Sequence, residues 1–213
     1  MPELGLFPLP LVLVPTERIP LHIFEDRYRE LIGECISEGE EFGLVLATGD
    51  GAVHEIGTRA AVAEVLEELE DGRMNIVVEG GRRFRLLELT HGRSFTTGVV
   101  EDVVDDEESP EPADASRALE LFEELASVSG ADVDMPASDA PQLDFEIAAR
   151  VDFGVDAKQE LLASVSPRER MSRLVSILEQ ALEDVRAEAL VRERASLNGK
   201  VTPRDGSAGP GHD

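Results

Sequence analysis

The run Ile19-Pro-Leu-His-Ile-Phe-Glu-Asp-Arg-Tyr-Arg-Glu-Leu-Ile32 decides how this chain begins to fold. It follows a first apolar segment, Leu4-Gly-Leu-Phe-Pro-Leu-Pro-Leu-Val-Leu-Val14, from which Pro15-Thr-Glu-Arg18 separates it. Proline has no N–H to give to a ladder, so Pro8, Pro10, Pro15 and Pro20 predict short strands or strands at sheet edges. Alternation from Ile19 sends Ile19, Leu21 and Ile23 to one face and Pro20, His22 and Phe24 to the other. From Asp26 the spacing becomes helical, with Leu31, Ile32, Cys35 and Ile36 at apolar positions.

Further along, Phe42-Gly-Leu-Val-Leu-Ala47 suits a buried strand, and Gly49-Asp-Gly51 supplies the residues a turn requires. Thr58 to Leu69 predicts a long strand. Glu70-Asp-Gly-Arg73 is a hairpin signal, because Asp-Gly accepts the primed turn that matches strand twist. Met74 to Val78 returns from it, Gly80-Gly81 predicts a break, and Arg82 to Leu89 resumes as a further strand. His91-Gly92 turns into a strand from Ser94 to Val104. Short strands at this spacing, with one early helix, predict a small, partly closed β-barrel.

Asp105-Asp-Glu-Glu-Ser-Pro-Glu-Pro-Ala-Asp114 reads as an extended, solvated linker. Helices follow. Asp114 is expected to cap one that carries Leu119, Leu121, Phe122 and Leu125 and stops at Ser129-Gly130. A loop from Ala131 to Pro141 leads to a shorter helix around Leu143, Phe145, Ile147 and Val151. Asp156-Ala-Lys-Gln159 predicts another start. Ser166-Pro-Arg-Glu169 is a fuller one, with Ser at the cap, Pro at the first position and Glu reaching back. The helix it opens carries Met171, Leu174, Leu178 and Leu182 and meets no Gly or Pro before Gly199, roughly thirty residues or about 40 Å at the α-helical rise. Its end from Glu188 to Arg194 is less apolar and is expected to project. The class is therefore α+β: a β domain over 1–108, a helical bundle ending in a long helix over 109–196, and a disordered tail over 197–213.

The 213 residues include 45 acidic and 20 basic side chains, a formal charge of −25. Such a chain repels phosphate backbones and anionic lipid, which disfavours nucleic acid as a partner. The single cysteine, Cys35, permits no intrachain disulfide. Its apolar setting suits a small buried hydrophobe. The first residues lack a basic region and are interrupted by prolines, unlike a signal peptide. No apolar run approaches the roughly 20 residues of a membrane helix. The cytoplasm is the expected location.

No motif for catalysis is visible. A GxxxxGK[ST] phosphate loop is absent, since the one Gly-Lys pair, Gly199-Lys200, precedes Val201. His22, His54, His91 and His212 show no metal-ligand spacing. Neither lysine, Lys158 nor Lys200, stands beside a serine in a dyad setting. Gly80-Gly81 precedes a strand and so is no dinucleotide loop. No catalytic, cofactor or metal residue is expected, and no enzyme.

The opening resembles the substrate-binding, N-terminal domain of the Lon ATP-dependent protease, most closely the small bacterial proteins that carry that domain alone. The resemblance rests on Pro20-Leu-His-Ile-Phe-Glu25 and Arg27-Tyr28, then in order Phe42-Gly43, Gly57-Thr58, Asp71-Gly-Arg73 and Gly80-Gly-Arg-Arg-Phe84. Lys158-Gln-Glu-Leu-Leu162 and Arg168-Glu-Arg-Met171 look like the family's following bundle, so the likeness covers roughly residues 1–190. It implies a PUA-like barrel before a helical bundle, and a role in substrate recognition. The ATPase and Ser-Lys protease activities belong to domains beyond this region of a Lon protease and are not expected here.

On this reading the partners are other proteins, through unfolded or apolar segments, with self-association left open. The candidate protein-binding residues are the outward His22 and Phe24, with Tyr28 one helical turn on. The alternative is RNA binding, which a PUA-like fold suggests. It would rest on Arg82, Arg83 and Arg85, of which Arg83 and Arg85 share a strand face while Phe84 points inward. Local ion pairs with the surrounding carboxylates are the expected fate of these arginines.

Overall fold

The structure, a computed structural model, describes residues 3–49 and 51–198, with side chains described to Glu188. The Gly49–Gly51 turn expected above lies partly outside the described residues, at Asp50; Gly51 adopts φ 85°.

The described residues form six strands and five helices. They are β1 Glu3–Leu9, β2 Arg18–Ile23, α1 Asp26–Glu38, β3 Phe42–Leu46, β4 Ile56–Glu68, β5 Met74–Thr90 and β6 Thr97–Asp102, then α2 Pro112–Ser129, α3 Leu143–Ala148, α4 Val155–Ala163 and α5 Pro167–Asn198. β5 pairs with β4, β4 with β3, β3 with β1 and β1 with β6, and β6 returns to β5, closing a ring. β1 and β3 run parallel; the other pairs among the described strands are antiparallel. β2 stands outside the ring, paired to the first half of β5 from Arg18–Glu79 to Ile23–Met74.

The break predicted at Gly80-Gly81 does not occur: β5 is one strand of 17 residues. Its first half serves β2 and its second half β6. The glycine is needed for close approach instead. The Gly80 N–H donates to the Glu17 carbonyl at 2.9 Å and the Thr16 N–H to the Gly80 carbonyl at 2.8 Å. A Cβ at Gly80 would sit 2.2 Å from the Val14 carbonyl oxygen, closer than any side chain permits. The hairpin forms at Asp71-Gly72, but not with the primed turn expected: Gly72 alone of the pair has positive φ, 81°, and closes a three-residue loop in which its N–H donates to the Leu69 carbonyl at 2.9 Å. β6 is shorter than the stretch from Ser94 to Val104.

Two helix starts differ from the sequence reading. α2 begins at Pro112 rather than after Asp114, because proline's fixed φ suits the first helical position and Glu111 before it is extended. α4 begins at Val155 behind Gly154, at φ 86°, so Asp156 lies inside the helix and caps nothing. Asp152 instead accepts the Gly154 N–H at 3.0 Å. The Ser166 cap holds, its Oγ accepting the Glu169 N–H at 3.3 Å. α5 runs to Asn198; the rest of the tail expected over 197–213 lies outside the described residues, as do the side chains beyond Glu188.

Three apolar clusters hold the fold. Leu4, Leu6, Val45, Phe84 and Val100 fill the ring. Phe7, Ile23, Tyr28, Ile32, Phe42 and Ile76 are among those beneath α1. The bundle core of Phe122, Phe145, Leu174 and Leu178 also takes in Val12, Val14, Leu46 and Ile56 from the β half, so the two halves share buried surface.

The expected solvated linker is pinned at its first residue. Asp105 receives Arg83 of β5 and, at 2.7 Å, Nη2 of Arg170 of α5. Arg170 also reaches Asp144 of α3 and lies 4.2 Å over the Phe145 ring. Arg83 donates further to the Leu162 carbonyl at 2.7 Å. The linker therefore cannot act as a free spacer at this end. Burial works against ionisation of Asp105, but the hydrogen bonds and charges of Arg170 and Arg83 outweigh it and hold its carboxyl below the usual range. Burial also draws Arg83 down, whereas Arg170, facing two carboxylates, is held up although it too is buried.

With a depressed folded-state pKa, Asp105 contributes stability that is present above the ordinary aspartate value of about 3.9 and is lost as the pH falls through the folded value. Urea midpoints should thus fall below about pH 4, and Asp105→Asn should flatten that limb. An unaltered limb in Asp105→Asn would assign the acid sensitivity elsewhere.

Candidate functional site

Beyond the ring, β2, the first half of β5 and the second half of β4 form a three-stranded arm. Alternation decides its faces. Ile19, Leu21, Ile76 and Val78 turn toward the core beneath α1. On the other face His22 stands opposite Asn75 and Asn75 opposite Glu67, while Pro20 stands opposite Val77 and Val77 opposite Glu64.

A hydrogen-bond chain crosses this outer face. Asn75 Nδ2 donates to Glu67 Oε2 at 2.9 Å, so Asn75 Oδ1 is the acceptor for His22 Nδ1 at 2.7 Å. His22 therefore donates from Nδ1, which fixes its ring plane. Phe24 stacks on that ring, 5.9 Å between centroids at 20°, and is 59% exposed. Pro20 and the exposed Leu66 border a shallow depression of about 560 Å³ beside His22.

Tyr28 does not join them, which corrects the trio read from sequence. It is 5% exposed, its ring 4.1 Å from that of Phe7, with the Arg27 guanidinium 4.5 Å from its centroid. Burial pushes its hydroxyl up, against a smaller downward pull from Arg27. The geometric reason lies at Glu25, which is extended at φ −74°, ψ 136°, so Phe24 precedes α1. A helical repeat therefore does not relate residues 24 and 28.

A groove that the sequence reading did not find runs along β2 toward the bundle. It measures about 480 Å³ and is lined by Leu11, Val12, Ile19 and Pro20 on one side and Val151 and Val155 on the other. At its base, nearly buried, Lys158 Nζ donates to Glu17 Oε1 at 2.6 Å, and Glu17 Oε2 accepts the Val14 N–H at 3.0 Å. Glu17 and Lys158 lie so far apart in sequence that no local pattern joins them.

The arginines of the RNA-binding alternative are all engaged. Arg82 meets Asp102 at 2.7 Å, and Arg85 lies 3.6 Å from Glu101 and 3.9 Å from Glu55. Arg83 departs from the exposed face expected for it beside Arg85, because the bundle covers the barrel wall there. Among the described residues no three of His, Cys, Asp and Glu are grouped to hold a metal. The buried Cys35 thiol is pushed up to about 11 by burial first, then by Glu40, Glu34 and Glu38, which suits a packing role. No helix of the described residues is long and apolar enough to cross a membrane.

Known proteins share this arrangement. A solved Lon N-terminal domain protein from Xanthomonas campestris superposes with a TM-score of 0.66 at 26% identity, covering 83% of this chain and 98% of that one. The N-terminal domain of a Mycobacterium avium complex Lon protease gives 0.64 at 17% identity over 84% and 98%, a likeness of fold alone. In sequence, the Lon protease of Brucella abortus biovar 1 (strain 9-941) is 24% identical over 212 residues, and Lon protease 1 of Hydrogenovibrio crunogenus 23% over 213. Each match takes in 92% of this chain but 26% of the relative, so the chain spans about a quarter of the length of these proteases. The family model for the ATP-dependent protease La (Lon) substrate-binding domain matches residues 3–180, and this chain belongs to that family.

Proposed function

We propose that this chain is a non-catalytic protein-binding module that takes apolar stretches of unfolded polypeptides on the outer face of its arm, as a Lon-type substrate-binding domain serving protein quality control in the bacterial cytoplasm. The barrel to about residue 108 presents the surface, and the bundle over 109–196 supports it. Phe24 carries the reading. A large aromatic left 59% in solvent, and yet held by the His22–Asn75–Glu67 chain, is mounted for contact rather than for packing. Pro20 and Leu66 extend its apolar surface. The family's substrate-binding role supports the choice of polypeptide as partner. The RNA alternative lacks a free basic patch, with Arg82, Arg83 and Arg85 each facing carboxylates in a chain of charge −25.

The test measures binding of a permanently unfolded, carboxymethylated protein by fluorescence anisotropy. Phe24→Ala should weaken it about tenfold, the size of an interface anchor, with the thermal midpoint unchanged. Undiminished binding by a stable Phe24→Ala protein would remove the surface from consideration. Purified protein is expected to turn over neither ATP nor peptide bonds.

A further inference from the structure

The arm has two unpaired edges, and they differ. β3 pairs β4 only as far as Ala60, so β4 beyond it pairs with no described strand on that side. That edge is broken by register shifts at Val62/Glu64 and Val65/Glu67 and carries Glu64, Glu67 and Glu68. Bulges and charges of this kind close an edge against pairing. β2 is guarded only at Pro20, which removes one N–H from its free edge, and by Arg18, which is paired with Glu79. Its register with β5 is unbroken over 6 residues, and no other described strand pairs with it.

Pro20 sets the phase of that edge. Without an N–H it occupies a non-hydrogen-bonded position opposite Val77, and alternation gives Arg18 and His22 the same position. The Gly80 N–H donating to Glu17 agrees with this phase. The N–H groups of Arg18 and His22, and the carbonyls of Arg18, Pro20 and His22, are thus directed away from β5. The apolar groove of about 480 Å³ lies alongside.

We infer that β2 receives an extended segment of a partner polypeptide as an added strand, one with apolar residues at alternate positions and Lys or Arg between them. This rests on the reading above and names its mode of recognition. Alternate side chains of the added strand enter the groove against Ile19, Val151 and Val155, or lie outward beside Phe24. Charge selects the occupant. The cations near the edge, Arg18, Arg27, Arg150 and Lys158, are each paired with a glutamate of the same chain. Asp152 in the groove and Asp156 beside Val155 form no ion pair among the described residues. A second copy, also at −25, is repelled; a basic segment is attracted. Recognition through the backbone also suits a receptor for many sequences, since every residue but proline offers the same groups.

The probe is a short fluorescein-labelled peptide alternating valine with lysine, in three forms: unmodified, N-methylated at the valine amides, and N-methylated at the lysine amides. Alternate amides of a strand point to opposite sides, so each methylated form blocks one edge only. One form should lose binding by about tenfold or more while the other stays within about twofold. On the protein, His22→Pro removes the edge N–H and should weaken binding well beyond His22→Ala, which keeps it. Equal losses from the two methylated forms, or equal affinities of the two His22 variants, overturn strand addition. If His22→Pro does not fold, the methylated pair decides alone. Binding that depends on Phe24 but not on methylation leaves the apolar-surface reading standing without this one. Dependence on one methylated phase but not on Phe24 does the reverse. A peptide that does not bind at all sinks both.

Discussion

Arg170→Met is expected to lower folding stability by about 3–5 kcal/mol, the loss typical of breaking a buried ion pair from one side. Arg170 is 2% exposed and reaches Asp144 and Asp105 at once. Without it Asp144, 4% exposed, is a buried carboxylate left with one hydrogen bond, from the Phe145 N–H, and the more distant charge of Arg83. Asp105 keeps only Arg83. Urea denaturation with a free fit of the slope measures the loss. Adding Asp144→Leu to Arg170→Met should recover part of it, because an apolar pair of similar volume removes the orphaned charge. Added salt should change wild-type stability little, since buried charges are weakly screened. A loss under about 1 kcal/mol would place the pair with surface bridges instead.

Tyr28→Ala should cost about 3–5 kcal/mol, as truncation of a buried aromatic does, while Phe24→Ala should stay within about 0.5 kcal/mol. The contrast follows from their surroundings. Tyr28 packs on Phe7 beneath the Arg27 guanidinium, whereas Phe24 touches the exposed ring of His22. Thermal melts of both variants beside wild type decide it. Similar losses for the two would return Phe24 to the core and remove the basis for a binding surface.

What the sequence disclosed was local. The hairpin at Asp71-Gly72 and the Ser166 cap each depend on a few neighbouring residues, and both form at the expected positions, the hairpin with a different turn. The alternation from Ile19 to Phe24 also survived, because a strand's two faces need only its own order. The errors arose where a residue answers to a distant partner. Gly80 reads as a breaker, yet it exists to admit Val14 and Thr16. Asp105 heads a run that reads as solvated, yet two arginines on separate elements hold it. Arg83 reads as exposed because nothing nearby in sequence shows the bundle that covers it. At the surface, His22 and Phe24 were legible from strand period, but Tyr28 was misplaced by carrying a helical repeat across Glu25. The groove was invisible, being made jointly by β2 and the turn before α4.

The closing of the ring through β1 bears on how the chain comes into being. β1 joins Glu3 to Val99 of β6 and Leu6–Leu9 to Gly43–Leu46 of β3. On the ribosome β1 is therefore made before the other strands of the ring, while its antiparallel partner is made long afterwards. The arm matures sooner, because β4 and β5 meet at a tight turn and β2 needs β5 only to Glu79. Translation passes through an interval in which an apolar strand short of one neighbour coexists with an open edge on the same nascent chain. Between the synthesis of β5 and that of β6, this protein is itself a polypeptide of the kind we propose its arm to hold.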